Sequence, residues 1–187
     1  MRCTTRRPNR LPQMTDLTQA VQAAFAPGGT LACTAEGFRE RDGQTQLALA
    51  IAHTVEQGGE LVAEAATGVG KTFAYLVPAL LSGERVLLST ATKALQDQLF
   101  TRDLPQLAAA LGVPVRMALL KGRGSYLCRH RLAFAETALG SHELSLRMAL
   151  GKVAHWAQAT RTGDLGEMPG LDERSPIIPL VTSTREN

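Results

Sequence analysis

Residues Ala65-Ala66-Thr67-Gly68-Val69-Gly70-Lys71-Thr72 set a lysine and a hydroxyl directly behind two glycines. The spacing is that of a phosphate-binding loop, with Ala where the first glycine often stands. Gly68 and Gly70 let backbone N–H groups turn inward toward phosphate oxygens. A helix opening at this point aims its positive end at the same charge. Lys71 can reach the β- and γ-phosphates, and the Thr72 hydroxyl can ligate Mg²⁺. The chemistry on offer is the binding of ATP with Mg²⁺, with Lys71 and Thr72 in the catalytic roles.

Two further groups flank the loop. Upstream, Arg41 and Gln44 stand three apart in "FRERDGQTQLA" and suit the hydrogen-bonding edge of an adenine. Alone they also fit a solvated helix start. Their value lies in their distance to the loop. Downstream, Ser89, Thr90, Thr92, Lys93 and Gln96 offer hydroxyls, an amide and a cation, the groups that hold nucleic-acid phosphates without reading sequence. The alternative is a polar helix cap.

The elements that must position these side chains follow from hydrophobic spacing. Leu17, Val21 and Phe25 recur at helical spacing and Pro27-Gly28-Gly29 stops that helix. A second helix is expected over about 44–57 and a third over about 70–81, with Pro78 inside it. "ELVAEA" (60–65), "RVLLST" (85–90) and "VPVRMALLKG" (113–122) are apolar runs that suit buried strands, and "ATKALQDQLF" is helical. Strand, helix, strand, helix, strand predicts an α/β fold with a parallel sheet, the loop lying at a strand's C-terminal end. After Gly124 the character changes. Residues 143–159 form an amphipathic helix with Leu146, Leu150, Val153 and Ala157 on one face, and 160–179 read as an irregular connection.

Composition limits the rest. With 44% hydrophobic and 20% charged residues, the 187-residue chain falls in the soluble globular class. A net charge of +3 permits a nucleic-acid partner without requiring one. No apolar run approaches the ~20 residues that span a bilayer, so no membrane role is expected. The basic segment 1–13 lacks an apolar core for a signal and reads as a disordered tail or a misassigned start. Cys3, Cys33 and Cys128 are scattered and odd in number, which suggests no disulfide framework and fits a cytoplasmic protein. His53, His142, His155, Met148 and Trp156 read as structural, packing or solvated residues.

Taken in order, "FRERDGQTQLA", "EAATGVGKTFAYLVPALL", "RVLLSTATKALQDQL" and "LLKGRGSYLCRHRL" resemble the iron–sulfur DNA helicases related to XPD, most closely the bacterial DinG/YoaA type. The resemblance runs from about Leu17 to Asn187. It implies a RecA-like motor domain, ATP-driven 5′ to 3′ travel on single-stranded or forked DNA, and a monomeric state. Arg41 and Gln44 would match the adenine-reading motif and Thr67 to Thr72 the phosphate loop. Ser89 to Gln96 would match the motif lying along single-stranded DNA. Cys128 would match the first of four ligands to a 4Fe–4S cluster. Considered locally, Cys128 fits a small buried residue instead, although Lys121, Arg123, Arg129, His130 and Arg131 surround it with positive charge.

The family's Asp-Glu-x-His motif is missing from the sequence. The one Asp-Glu pair, Asp172-Glu173, leads into Arg174-Ser175 in a connection rich in Pro and Gly. The expected organisation is a tail (1–13), the N-terminal part of a RecA-like ATP-binding domain (14–122), and the beginning of an iron–sulfur insertion (123–187). A chain of this extent is expected to be inactive alone, with further cluster cysteines beyond Asn187. Two other readings stay open: a non-catalytic ATP- or DNA-binding module, and a different P-loop enzyme such as a kinase.

Overall fold

The computed structural model describes residues 17–34, 38–39, 41–138, 140 and 144–183. The expected tail 1–13, Cys3 and His142 lie outside the described residues. The chain divides into two compact units, the first ending at Ala118 and the second starting at Leu119.

The first unit contains α1 (Leu17–Phe25), α2 (Thr30–Thr34), α3 (Asp42–Gln57), α4 (Lys71–Leu81) and α5 (Lys93–Gln98). A π-helical turn (Leu99–Asp103) then leads into α6 (Leu104–Leu111). Leu17, Val21 and Phe25 all point inward, as their four-residue spacing requires. They join Leu31, Ala48, Ala52, Ala74, Leu76, Val77, Leu107 and Leu111 in one core. Full burial of each large member contributes roughly 1.5–3 kcal/mol. Ala48 and Ala52 of α3 and Ala74 of α4 are fully buried, and such small side chains let helix backbones approach closely. Pro78 lies within α4 without ending it, and the last turn closes with Ser82 N–H on the Pro78 carbonyl at 2.9 Å.

The N-terminus of α1 is tied to the far end of α3. Thr18 donates its backbone N–H to Glu56 Oε1 at 2.9 Å and its hydroxyl to Oε2. The carboxylate thereby satisfies a donor of the first turn that the helix cannot satisfy itself.

The expected parallel sheet is not observed among the described residues. Segments 60–66, 84–90 and 113–122 run without a ladder. Val62, Leu87 and Leu120 are 98, 93 and 81% exposed. An apolar run specifies extended backbone but not the neighbour it pairs with. Parallel pairing is non-local and depends on strands brought alongside by other crossovers.

The second unit holds α7 (Arg129–Ala138), α8 (Leu144–Ala159) and α9 (Ile178–Val181), with short 3₁₀ turns at Arg123–Ser125 and Leu165–Glu167. Leu150, Val153 and Ala157 of α8 pack with Leu132, Ala135, Leu165, Ile177 and Val181, and Leu146 and Trp156 pack against them. Met148, expected to pack, is exposed. Residues 126–128 are pinned on both sides. Tyr126 bridges Asp164, Leu127 bridges Thr182, and Cys128 N–H donates to the Val181 carbonyl at 2.7 Å. Among the described residues no helix is long and apolar enough to cross a membrane.

Candidate phosphate-binding site

The loop expected from the sequence lies between the extended segment 60–66 and α4. Gly68 (φ 84°) and Gly70 (φ 88°) both occupy the left-handed region, where a side chain would be strained. Gly70 caps α4, its carbonyl accepting from Phe73 N–H at 3.1 Å and Ala74 N–H at 3.2 Å. Lys71 Nζ donates to the carbonyls of Ala65 (2.7 Å) and Ala66 (2.8 Å), so its ammonium is held against the loop it belongs to. Ala66, Thr67, Gly68 and Lys71 are exposed, while Ala65, Val69, Gly70 and Thr72 are half-buried.

Arg41 and Gln44 meet this loop although 26 residues separate Gln44 from Gly70 in sequence. Gln44 is only 3% exposed, and its Nε2 donates to the Gly70 carbonyl at 2.8 Å. Its Oε1 is buried with no hydrogen-bond partner in the structure. A buried amide oxygen left in this state carries a penalty of about 1–3 kcal/mol. Arg41 stands at the N-terminus of α3, accepting from Gln44 N–H and Thr45 N–H through its carbonyl. A Cβ placed on Gly70 would lie 2.1 Å from Gln44 Nε2 and 3.3 Å from Arg41 Nη1. Both side chains therefore crowd the glycine that opens α4. This juxtaposition separates Gln44 from an ordinary solvated helix start, whereas Arg41 is exposed.

An aromatic row escaped the sequence reading. Phe38 lies 6.0 Å from Phe25 and stacks on Phe73 with ring centroids 6.3 Å apart and planes 8° from parallel. It anchors the segment entering α3 to the first turn of α4, one residue past Thr72. Nothing local in the sequence indicated which rings Phe38 would meet. Tyr75 was likewise not singled out. Burial pushes its hydroxyl pKa up, a hydrogen bond with the Thr72 side chain opposes that, and the negative Asp103 adds to it.

Thr92, Lys93 and Gln96 start α5. Thr92 caps the helix, its hydroxyl accepting from Leu95 N–H at 3.3 Å, and its carbonyl accepts from Gln96 N–H. Thr90 donates its hydroxyl to the Thr92 carbonyl at 3.4 Å. Ser89, Thr92 and Lys93 are exposed, and Thr90 and Gln96 are half-buried. The cap accounts for Thr92, so the polar-cap reading holds for that residue. Residues 86–88, which lead into the stretch, line a cleft with Ile51, Val55, Tyr75 and Ala79.

Cys128 is a free, half-buried cysteine immediately before α7. Several of the cations expected around it are engaged elsewhere. Lys121 Nζ pairs with Asp164 Oδ2 at 2.9 Å, both side chains nearly buried. Arg129 and Arg131 donate to the carbonyls of Ala157 and Pro179. Among the described residues no three His, Cys, Asp or Glu side chains gather as a metal site. Asp172 and Glu173 are exposed in a turn, with Arg174 N–H on Asp172 Oδ1.

The chain is similar to known proteins. Residues 44–159 match the family described as DEAD/DEAH box helicase. The chain is 45% identical over 174 residues to the ATP-dependent DNA helicase YoaA of Haemophilus influenzae, covering 92% of this chain and 27% of that protein. It is 39% identical over 167 residues to the ATP-dependent helicase DinG of Mycobacterium tuberculosis, covering 78% and 25%. It is also 33% identical over 138 residues to the 3'-5' exonuclease DinG of Bacillus subtilis, covering 71% and 14%. The chain thus spans about a quarter of the length of the first two relatives.

Proposed function

The chain belongs to the DEAD/DEAH box helicase family, and from that premise we propose that it is the ATP-binding N-terminal part of an ATP-dependent DNA helicase. The observation that carries this reading is the contact of Gln44 with Gly70, which joins the adenine-reading pair to the phosphate loop. In a RecA-like motor the base and the phosphates of one nucleotide must be held together. Here α3 supplies Arg41 and Gln44, while α4 supplies the loop. Gln44 Oε1 is the acceptor free for an adenine amino group. The loop N–H groups of 67–70 and Lys71 would hold the phosphates, and the Thr72 hydroxyl would hold Mg²⁺, which would supply neutralisation of the phosphate charge. To act on phosphate, Lys71 moves from the Ala65 and Ala66 carbonyls to an anion that binds it more strongly.

Ser89, Thr90, Thr92, Lys93 and Gln96 are assigned to the backbone of single-stranded or forked DNA. Cys128 is assigned to a 4Fe–4S cluster by the family resemblance. The described residues alone do not fit such a cluster. It takes four thiolates or close substitutes, and Cys128 supplies one. The remaining ligands belong to the longer protein, which is proposed to act as a monomer in the cytoplasm, travelling 5′ to 3′. The chain alone, without the Asp-Glu-x-His carboxylates, binds nucleotide but does not hydrolyse it.

The test is ATP hydrolysis by the longer protein with and without single-stranded DNA. Hydrolysis stimulated by DNA is expected. Nucleotide binding with no hydrolysis in either condition would favour a non-catalytic ATP-binding module.

A further inference from the structure

Lys121 and Asp164 are charged side chains inside the second unit, 11 and 9% exposed, that the proposed chemistry does not use. Lys121 Nζ meets Asp164 Oδ2 at 2.9 Å. Asp164 Oδ1 accepts from Gly166 N–H at 2.9 Å and the Asp164 carbonyl accepts from Glu167 N–H at 2.9 Å, so the carboxylate is fixed within its own turn. A Cβ on Gly166 would lie 3.2 Å from Asp164 Oδ1 and 3.5 Å from Lys121 Nζ, so glycine leaves room for the pair. Lys121 is fixed through its backbone as well, its N–H donating to the Tyr126 hydroxyl at 2.9 Å. Residues 122–126 close on themselves through Ser125 N–H on the Gly122 carbonyl and Tyr126 N–H on the Arg123 carbonyl.

The residues that follow are held by few contacts. Tyr126 bridges Asp164 and Leu127 bridges Thr182, each an isolated bridge outside any ladder. Leu127 N–H donates to the Gly163 carbonyl at 2.8 Å and Cys128 N–H to the Val181 carbonyl at 2.7 Å. Single bridges specify register weakly, because a slipped neighbour offers the same backbone groups. A slip along 163–164, however, would carry Lys121 away from Asp164 and leave two buried charges apart. Removing one partner of a buried pair costs heavily, whereas replacing both by neutral groups costs little. The pair therefore adds little net stability while making other registers unfavourable.

We propose that Lys121 and Asp164 are positioning residues that lock the register of 126–128 and so set where Cys128 stands at the start of α7, with no metal needed. The use of that placement rests on the assignment of Cys128 given above, whereas the lock itself does not. The chain's own contacts present the thiol in one place before any ligand arrives.

The experiment measures the rate at which iodoacetamide alkylates Cys128 in the 187-residue chain, in metal-free buffer, by mass spectrometry of the peptide that contains it. Melting temperature is recorded alongside, for wild type, Lys121→Met, Asp164→Asn and the double variant. Asn at 164 keeps an acceptor for Gly166 N–H. Wild-type Cys128 should react at least about tenfold more slowly than in the same chain unfolded in urea. Each single variant should lower the melting temperature, and the double should recover most of the loss. Alkylation should rise at least about fivefold in each single and stay raised in the double, because neutral partners no longer choose the register. Where a single variant does not fold, the double carries the test. A double variant with the wild-type alkylation rate would overturn the proposal. So would alkylation that follows the melting temperature through all variants, the pattern of a pair that only stabilises, or a wild-type Cys128 as reactive as in urea. Iron content of the longer Cys128→Ser protein separates the two claims. Retained iron would remove the ligand assignment and leave the lock, while lost iron with unmoved alkylation in the double variant would remove the lock alone.

Discussion

Gln44 donates its side-chain amide to the Gly70 carbonyl at 2.8 Å, fixing α3 to the loop that opens α4. Gly70 is then constrained twice, by φ 88° and by the amide that stands where a Cβ would go. Gly70→Ala should destabilise the first unit by about 1–2 kcal/mol from backbone strain alone, with the clash added to that. Gln44→Ala should relieve the clash but not the strain, so the double variant should be less destabilised than the sum of the singles. Denaturant unfolding of the four proteins checks this. Gln44→Ala alone should also weaken ATP binding about tenfold, the loss of one hydrogen bond of about 1.4 kcal/mol.

Glu56 supplies a pH dependence of known sign. The hydrogen bond from the Thr18 side chain, then that from the Thr18 backbone, hold the Glu56 pKa below its usual 4.5. Its folded pKa is depressed, so its contribution is present above the unfolded value and is lost as pH falls through the folded one. Glu56→Gln should lower the unfolding midpoint at pH 7. The gap between variant and wild type should close as the solution is acidified below pH 4. A gap that persists unchanged at low pH would show that the Thr18 contact contributes nothing through charge.

Val62 and Leu87 are apolar, exposed and on unpaired extended backbone. Such segments invite pairing with other chains. Because relatives are about four times longer, these two segments are proposed to pair with strands supplied by the rest of the protein. Val62→Lys and Leu87→Lys should then have opposite effects in two settings. They should raise the solubility of the isolated chain and lower the melting temperature of the longer protein. Light scattering and thermal unfolding read the two effects.

Cys128 is held beside Val181 and Thr182 by the Cys128 N–H bond and the Leu127 bridge. The segment leading out of α9 therefore runs alongside it. The isolated chain should purify colourless and without stoichiometric iron. A version carrying the further cysteines expected downstream should be brown, and Cys128→Ser should bleach it. Iron and sulfide per chain decide the matter. An unaffected cluster in the Cys128→Ser protein would remove this residue from the site.

Much of the helical layer was legible. The spacing of Leu17, Val21 and Phe25 set one face of α1, and Leu150, Val153 and Ala157 set one face of α8, because a helix's own period decides what it buries. The loop was legible because glycine, lysine and threonine at fixed spacing leave few alternatives. The sheet was not resolved by the same reasoning, since the neighbours of 60–66 and 85–90 are set far away in sequence. The π turn at Leu99–Asp103 was hidden because it contains no helix-breaking residue of its own, although Pro105 follows two residues later. Phe38 was hidden for a similar reason: its partners Phe25 and Phe73 come from two different helices.

The most direct measurement is DNA-stimulated ATP hydrolysis by the longer protein, wild type against Lys71→Ala, with single-stranded DNA binding measured alongside. Lys71 neutralises charge on the transferring phosphoryl group, whereas DNA is assigned to Ser89–Gln96. The substitution should lower the stimulated rate by at least about a hundredfold and leave the dissociation constant for DNA within about threefold. Hydrolysis that survives Lys71→Ala, or DNA binding that falls with it to background, would contradict the assignment of the loop and the polar stretch to separate tasks.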